Sequence, residues 1–317
     1  MPLNIDKLSK RFDSTWALRD IELEIASGEV FGIYGGTGAG KTTLLKVIAG
    51  NEKANGGAVT LTGELAGSGC YLFEREQRSG LTSIFQRDKA SGSDGENRVK
   101  EFRQALSRKE GVMLFDDPFC GVAVPERDVL LQQITKLAKE DAKTVIFASS
   151  DFEQIAAICD RVAVIVKGEI AQIGFPQEVY QNPASRSVAA IVGRNNIFAA
   201  RRLTSTNADL PEFQTIEGSH RLHAKPTAKH ALGAINQNVS LAIRPEQLSI
   251  SFEAAFPEDN IIKAVVTAIR FLGSTTIIEL NAGGLHLESR VFRVVGLNVG
   301  DECMIAMPPH RIQVLKD

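Results

Sequence analysis

The chain has 317 residues, a hydrophobic fraction of 44%, a charged fraction of 23% and a net charge of −2. That length accommodates one large domain and a smaller one, each with its own core. The near-neutral balance argues against the basic surface of a nucleic-acid-binding protein, so no nucleic acid is expected as a partner. Cys70, Cys120, Cys159 and Cys303 are scattered, with neither metal-ligand spacing nor the density of a disulfide framework, which points to a reducing compartment. Residues 1–10 alternate apolar and polar rather than forming a targeting signal. The longest apolar run, 162–166, falls far short of the ~20 residues of a membrane helix.

In chain order, residues 4–12 and 21–25 alternate as half-buried strands do. Residues 30–34 are a short apolar run ending in glycines, and 41–49 follow with helical spacing of Leu44, Leu45, Val47 and Ile48, which Gly50 is placed to stop. Residues 58–62 and 69–73 read as paired strands joined by a Gly-rich turn, and 97–106 as a helix. Strands are then expected at 112–115, 144–148 and 162–166, with helices at 126–141 and 151–158 between them. Apolar strands alternating with helices predict an α/β domain whose parallel sheet is covered on both faces. From about 197 the texture changes. A polar stretch, 203–237, precedes β-rich runs at 239–244, 261–271, 275–280 and 303–306, punctuated by Gly283-Gly284 and Gly300-Asp301. These predict a small β-barrel. The boundary is placed near 193, giving domains 1–193 and 194–317.

Gly35, Gly36, Thr37, Gly38, Ala39, Gly40, Lys41 and Thr42 match G-x-x-x-x-G-K-[ST]. Glycines let the backbone aim successive N–H groups at phosphate oxygens, and the following helix adds its positive N-terminal end. Lys41 reaches the terminal phosphates and Thr42 offers a hydroxyl to Mg²⁺. The strand and helix predicted on either side are the context the motif requires. Asp116, at the end of the apolar run 112–115, stands where a second Mg²⁺-holding acid belongs.

With these residues in view, the chain resembles the ATP-binding subunits of ABC importers, the class carrying maltose, polyamine, iron or related solutes. The resemblance runs through Leu8-Ser9-Lys10-Arg11-Phe12, Gly28-Glu29-Val30, the loop and its helix, and Asp160-Arg161-Val162. It continues through Ala242-Ile243-Arg244-Pro245-Glu246 and Phe271-Leu272-Gly273 in the tail. It implies an ABC-type phosphate-loop NTPase domain with a C-terminal OB-like regulatory barrel, binding ATP and Mg²⁺. Phe12 would stack on adenine, unless it is a strand-end core residue, and the loop residues through Thr43 would surround the phosphates. The implied partners are integral-membrane permease subunits at the inner face of the cell membrane and a second ATP-binding subunit, in a homodimer or heterodimer. The implied solute is a carbohydrate or polyol.

The departures from that family are specific. The span from Lys41 to Asp116 is several dozen residues short, which removes most of the helical subdomain that docks the permease. The signature segment aligns best with Gly92-Ser93-Asp94-Gly95-Glu96, whose carboxylates would face a polyanion; a polar loop before a helix is the alternative reading. Two residues compete for the metal-sensing position, Glu74 and Gln86. Asp117 stands where a catalytic glutamate is expected, one methylene short, and Ser150 stands where a histidine is expected. The histidines are His220, His223, His230, His286 and His310, so residues 1–193 contain none. Residues 119–123 lack the acid usual in the subunit-contact loop. Loss of a general base typically costs about 10²–10⁴ in rate, so binding is expected to persist while turnover becomes slow. The alternative is a non-hydrolytic subunit paired with a complete ATPase.

Overall fold

A computed structural model describes residues 2–74, 94–205, 210–224, 232, 234–251 and 260–315. The chain divides into two compact units, Met1–Val179 and Tyr180–Asp317. No helix among the described residues is long and apolar enough to cross a membrane.

The first unit opens with β1 (Leu3–Phe12), β2 (Thr15–Ile25), β3 (Val30–Tyr34), α1 (Lys41–Ile48), β4 (Gly56–Leu61) and β5 (Cys70–Phe73). It continues with α2 (Asp94–Leu106), β6 (Val112–Asp116), α3 (Val124–Glu140), β7 (Thr144–Ser149), α4 (Phe152–Ile158), β8 (Arg161–Val166) and β9 (Glu169–Gly174). Helix α5 (Pro176–Gln181) carries the chain across the division, and α6 (Arg186–Ile191) follows it. Strands β5, β6, β7, β3, β8 and β9 lie side by side in that order, parallel except for the β8–β9 hairpin. All residues of β3, β6 and β7 are buried, as apolar strands covered on both faces must be. A separate antiparallel sheet runs β2-β1-β4. Its alternating residues Leu3, Ile5, Leu8, Ile21, Leu23 and Ile25 share one core with Leu44, Leu45 and Ile48 of α1. Register shifts in the β1–β2 pair explain why 15–20 does not read as a strand: the two-residue period breaks there although the pairing continues to Phe12↔Thr15.

Helix α2 starts three residues before the predicted 97, and its buried face is aromatic. Phe102 packs edge-on against Phe73 and Phe119 and tilted against Phe115, with ring centroids 4.9–5.5 Å apart. Each such pair adds about 0.5–1.5 kcal/mol beyond its area burial, so the helix is bound to the ends of β5 and β6.

The second unit contains β10 (Asn196–Arg202), β11 (Glu212–Thr215), β12 (Arg221–His223), β13 (Asn238–Ile243), β14 (Ser249–Ser251), β15 (Asn260–Phe271), β16 (Thr276–Ala282), β17 (Leu285–Val291), β18 (Glu302–Met307) and β19 (Gln313–Leu315). Two antiparallel five-stranded sheets, β12-β11-β10-β13-β19 and β14-β18-β15-β16-β17, enclose one apolar core in a C-terminal β-barrel. The segment 180–194 belongs to this unit because buried Arg244 holds it. The guanidinium donates to the carbonyls of Tyr180, Val192 and Arg194 and stacks on the Tyr180 ring 3.9 Å away. The texture-based boundary near 193 cuts through that cluster.

Candidate functional site

The glycine-rich loop joins the end of β3 to α1, at the C-terminal edge of the central parallel sheet. Two of its glycines are fixed by close packing. A Cβ on Gly35 would lie 2.6 Å from the Ile165 carbonyl, and one on Gly40, whose φ is 111°, would lie 2.7 Å from the Ala17 carbonyl. Over Gly36 and Gly38, by contrast, a Cβ meets nothing within 4 Å. The loop is therefore packed on its inner side and open on its outer side, where Gly36, Thr37 and Gly38 are exposed. A bond from the Gly168 N–H to the Ala39 carbonyl, 3.1 Å, ties it to the turn after β8. Helix α1 begins without a side-chain cap and without an acidic residue in its first turn. Its N-terminal N–H groups and dipole thus remain unspent, as anion binding requires.

Lys41 is only 7% exposed, and its Nζ donates to the Gly35 carbonyl at 2.8 Å and to the Gly36 carbonyl at 3.3 Å. One residue on, the Thr42 hydroxyl donates to Asp116 Oδ2 at 2.7 Å, so the two residues expected to hold a cation already touch. Thr43 is half-buried behind them. Burial lifts the Asp116 pKa; the Thr42 hydrogen bond pulls it back, and the neighbouring Asp117 charge pushes it up again. Lys41 draws it down and Glu74 up, so two carboxylates face one cation around Asp116, an arrangement that suits a site completed by a further cation.

Asp117 and Ser150 are brought together. Asp117 Oδ1 accepts from the Ser150 N–H at 3.0 Å and from its hydroxyl at 3.3 Å. The Asp117 backbone sits at φ 41°, its N–H donating to the Ala148 carbonyl. The carboxylate expected at the general-base position is thus held as an acceptor by the residue expected at the switch position. Glu74, at the end of β5, pairs through Oε2 with Lys46 Nζ at 3.0 Å. Gln86, Gly92 and Ser93 lie outside the described residues; Glu96 is in the first turn of α2, whose start overlaps the segment aligned with the signature.

Phe12 is 46% exposed at the tip of the β1–β2 hairpin, with Lys10 Nζ 4.7 Å from its ring centroid. Trp16, 40% exposed, is paired in register with Arg11 on the same hairpin. Sequence reasoning missed Lys46 and Arg98. Lys46 sits one turn beyond Thr42, a spacing that the motif's own pattern does not include. Arg98 donates to the carbonyls of Glu74 and Pro118 and lies over the Phe73 ring. Contacts to backbone carbonyls leave no trace in partner identity, so no sequence signal would have found it.

The fold and the loop define a phosphate-loop nucleotide-binding domain, and two family models match the chain: the ABC transporter family over residues 18–92 and the TOBE domain over 241–315. The sulfate/thiosulfate import ATP-binding protein CysA of Bacillus cereus is 27% identical, covering 99% of this chain and 98% of that protein. The maltose/maltodextrin import ATP-binding protein MalK of Mannheimia succiniciproducens is 25% identical, covering 99% and 95%. The spermidine/putrescine import ATP-binding protein PotA of Fusobacterium nucleatum is 28% identical, covering 78% and 76%. The chain thus combines an ABC transporter match with a C-terminal TOBE match and is similar to the ATP-binding subunits of ABC importers.

Proposed function

We propose that this subunit binds Mg-ATP on the loop from Gly35 to Thr42 and hydrolyses it slowly. The observation that carries the reading is the 2.7 Å contact between Thr42 and Asp116 beside the open loop and the uncapped start of α1. The donor set fits a hard divalent cation, because a hydroxyl and a buried carboxylate are oxygen ligands and two further carboxylates, Asp117 and Glu74, act on Asp116 against the single Lys41 cation. Thr42 and Asp116 would hold Mg²⁺, with Glu74 released from Lys46 to reach it. Bound Mg²⁺ supplies neutralisation of phosphate charge. Lys41 would leave the Gly35 and Gly36 carbonyls for the terminal phosphates, and Phe12 would stack on the base.

Slow turnover follows from Asp117 and Ser150. A general base must reach the proton it removes, and the Asp117 carboxylate is engaged by Ser150 instead. The membrane partner in this reading is a permease at the inner face of the cell membrane, with a second ATP-binding subunit completing a dimer. Coupling to the permease would be altered. The alignment with the Bacillus cereus protein runs over 365 positions, more than the 317 residues of this chain, so that relative carries segments absent here. The relatives are named for sulfate, maltodextrin and polyamine import, and a carbohydrate or polyol remains the solute proposed for this chain.

Calorimetric titration with Mg-ATP tests the site. Saturable binding that Lys41→Ala abolishes is the expected result; unchanged affinity in that variant would remove the loop assignment. A steady-state turnover of several per second by the purified chain, lost on Asp117→Asn, would overturn slow hydrolysis.

A further inference from the structure

The C-terminal unit contains a cavity of 740 Å³ to which no nucleotide-site residue contributes. That volume is within the range of about 300–1,000 Å³ typical of small-molecule sites. Much of its lining is apolar: Leu248 and Ile278 are buried, Ile250 is half-buried, and Val294 and Leu297 pack against the barrel core from the segment after β17. At its rim Phe292 and Val295 remain 89% and 76% exposed. Apolar side chains left in water around an apolar hollow mark a recognition surface rather than a solvated loop.

The polar part of the lining sets two arginines against one glutamate, with the hydroxyls of Tyr180, Ser249 and Thr275 beside them. Arg290 donates through Nε to the Thr275 hydroxyl at 3.1 Å, and its two terminal nitrogens have no acceptor among the described residues. Arg293 lines the same cavity and is exposed. The one carboxylate present, Glu246, already accepts from the Tyr180 hydroxyl at 2.7 Å. A fork of guanidinium N–H groups beside a hydrocarbon wall fits a planar carboxylate with an apolar body. A small inorganic oxyanion would leave the wall unused, and a neutral lipid would leave the Arg290 fork unpaired.

We propose that this cavity binds an amphipathic organic carboxylate, of the size of a medium-chain fatty acid. Its carboxylate lies on Arg290 and its hydrocarbon along Leu248, Ile250 and Ile278. The site is independent of the nucleotide reading, and its test uses no nucleotide. Octanoate, 1-octanol and sulfate are titrated separately into the full-length chain by calorimetry. Octanoate should bind saturably, and octanol and sulfate at least about tenfold more weakly, the weight of one charge-assisted hydrogen bond. Arg290→Gln should weaken octanoate by a similar factor and Arg290→Lys by less, both with unchanged thermal melting. Absence of saturable octanoate binding, equal affinity for octanol or sulfate, or an Arg290→Gln variant that binds as well as the parent each overturns the proposal. So does a sedimenting dimer that Phe292→Ser dissolves and octanoate leaves intact, because the apolar rim would then serve a second copy of the chain.

Discussion

Lys41 and Asp116 are both buried charges with few polar partners of their own. The lysine ammonium is satisfied by two loop carbonyls, and the Asp116 carboxylate by a single hydroxyl. Because burial raises the Asp116 pKa above its unfolded value, the folded chain holds that proton more tightly than the unfolded chain does. Apo stability therefore falls as pH rises from about 3.9, the ordinary aspartate value, through the raised value, and carries the full penalty above it. Asp116→Asn should raise the melting temperature of the nucleotide-free protein at neutral pH while removing the effect of Mg²⁺ on nucleotide affinity. A lower melting temperature in that variant would contradict the account. At the neighbouring pair, Asp117→Glu combined with Ser150→His should raise ATPase turnover at least tenfold, the low end of what a general base contributes, about 10²–10⁴, less the cost of an imperfect fit. Steady-state phosphate release measures it, and no gain would place the defect elsewhere.

At the scale of elements, the segments that read cleanly were those with one strong period and a stop. The run 30–34, the helix opening at Lys41 and the strand ending at Asp116 all lie where their apolar spacing places them. With them the loop, Thr42 and Asp116 were legible, since their positions follow from strand ends and helix starts. Other elements were hidden for physical reasons. Bulges break the alternation of β2 before Ile21, and β9 is a half-buried edge strand with no continuous apolar run. Helices α5 and α6 are six residues each, too short to establish a 3.6-residue period. The Asp117–Ser150 and Lys46–Glu74 contacts join residues on different elements, which spacing along one chain does not encode. Helix α2 tests the packing argument. Phe102→Ala removes the ring shared by Phe73, Phe115 and Phe119, and should cost about 3–5 kcal/mol in urea unfolding of the first unit. A loss under 1 kcal/mol would mean the cluster re-forms without it.

For the whole molecule, the division at Tyr180 makes its own prediction. A fragment beginning at Tyr180 keeps the carbonyls of Tyr180 and Val192 that receive the buried Arg244 guanidinium, whereas one beginning at 194 loses them. Each lost charge-assisted hydrogen bond is worth about 1.5–3 kcal/mol, so the shorter fragment should melt well below the longer one. Equal melting would move the boundary back toward 193. Trp16 has a use that its place on the first hairpin creates. Tryptophan occurs once in the chain, on the strand that pairs with the one ending at Phe12. Its indole emission therefore comes from a single address, so the proposed stacking of a base on Phe12 has an optical, label-free test, with the barrel contributing no tryptophan background.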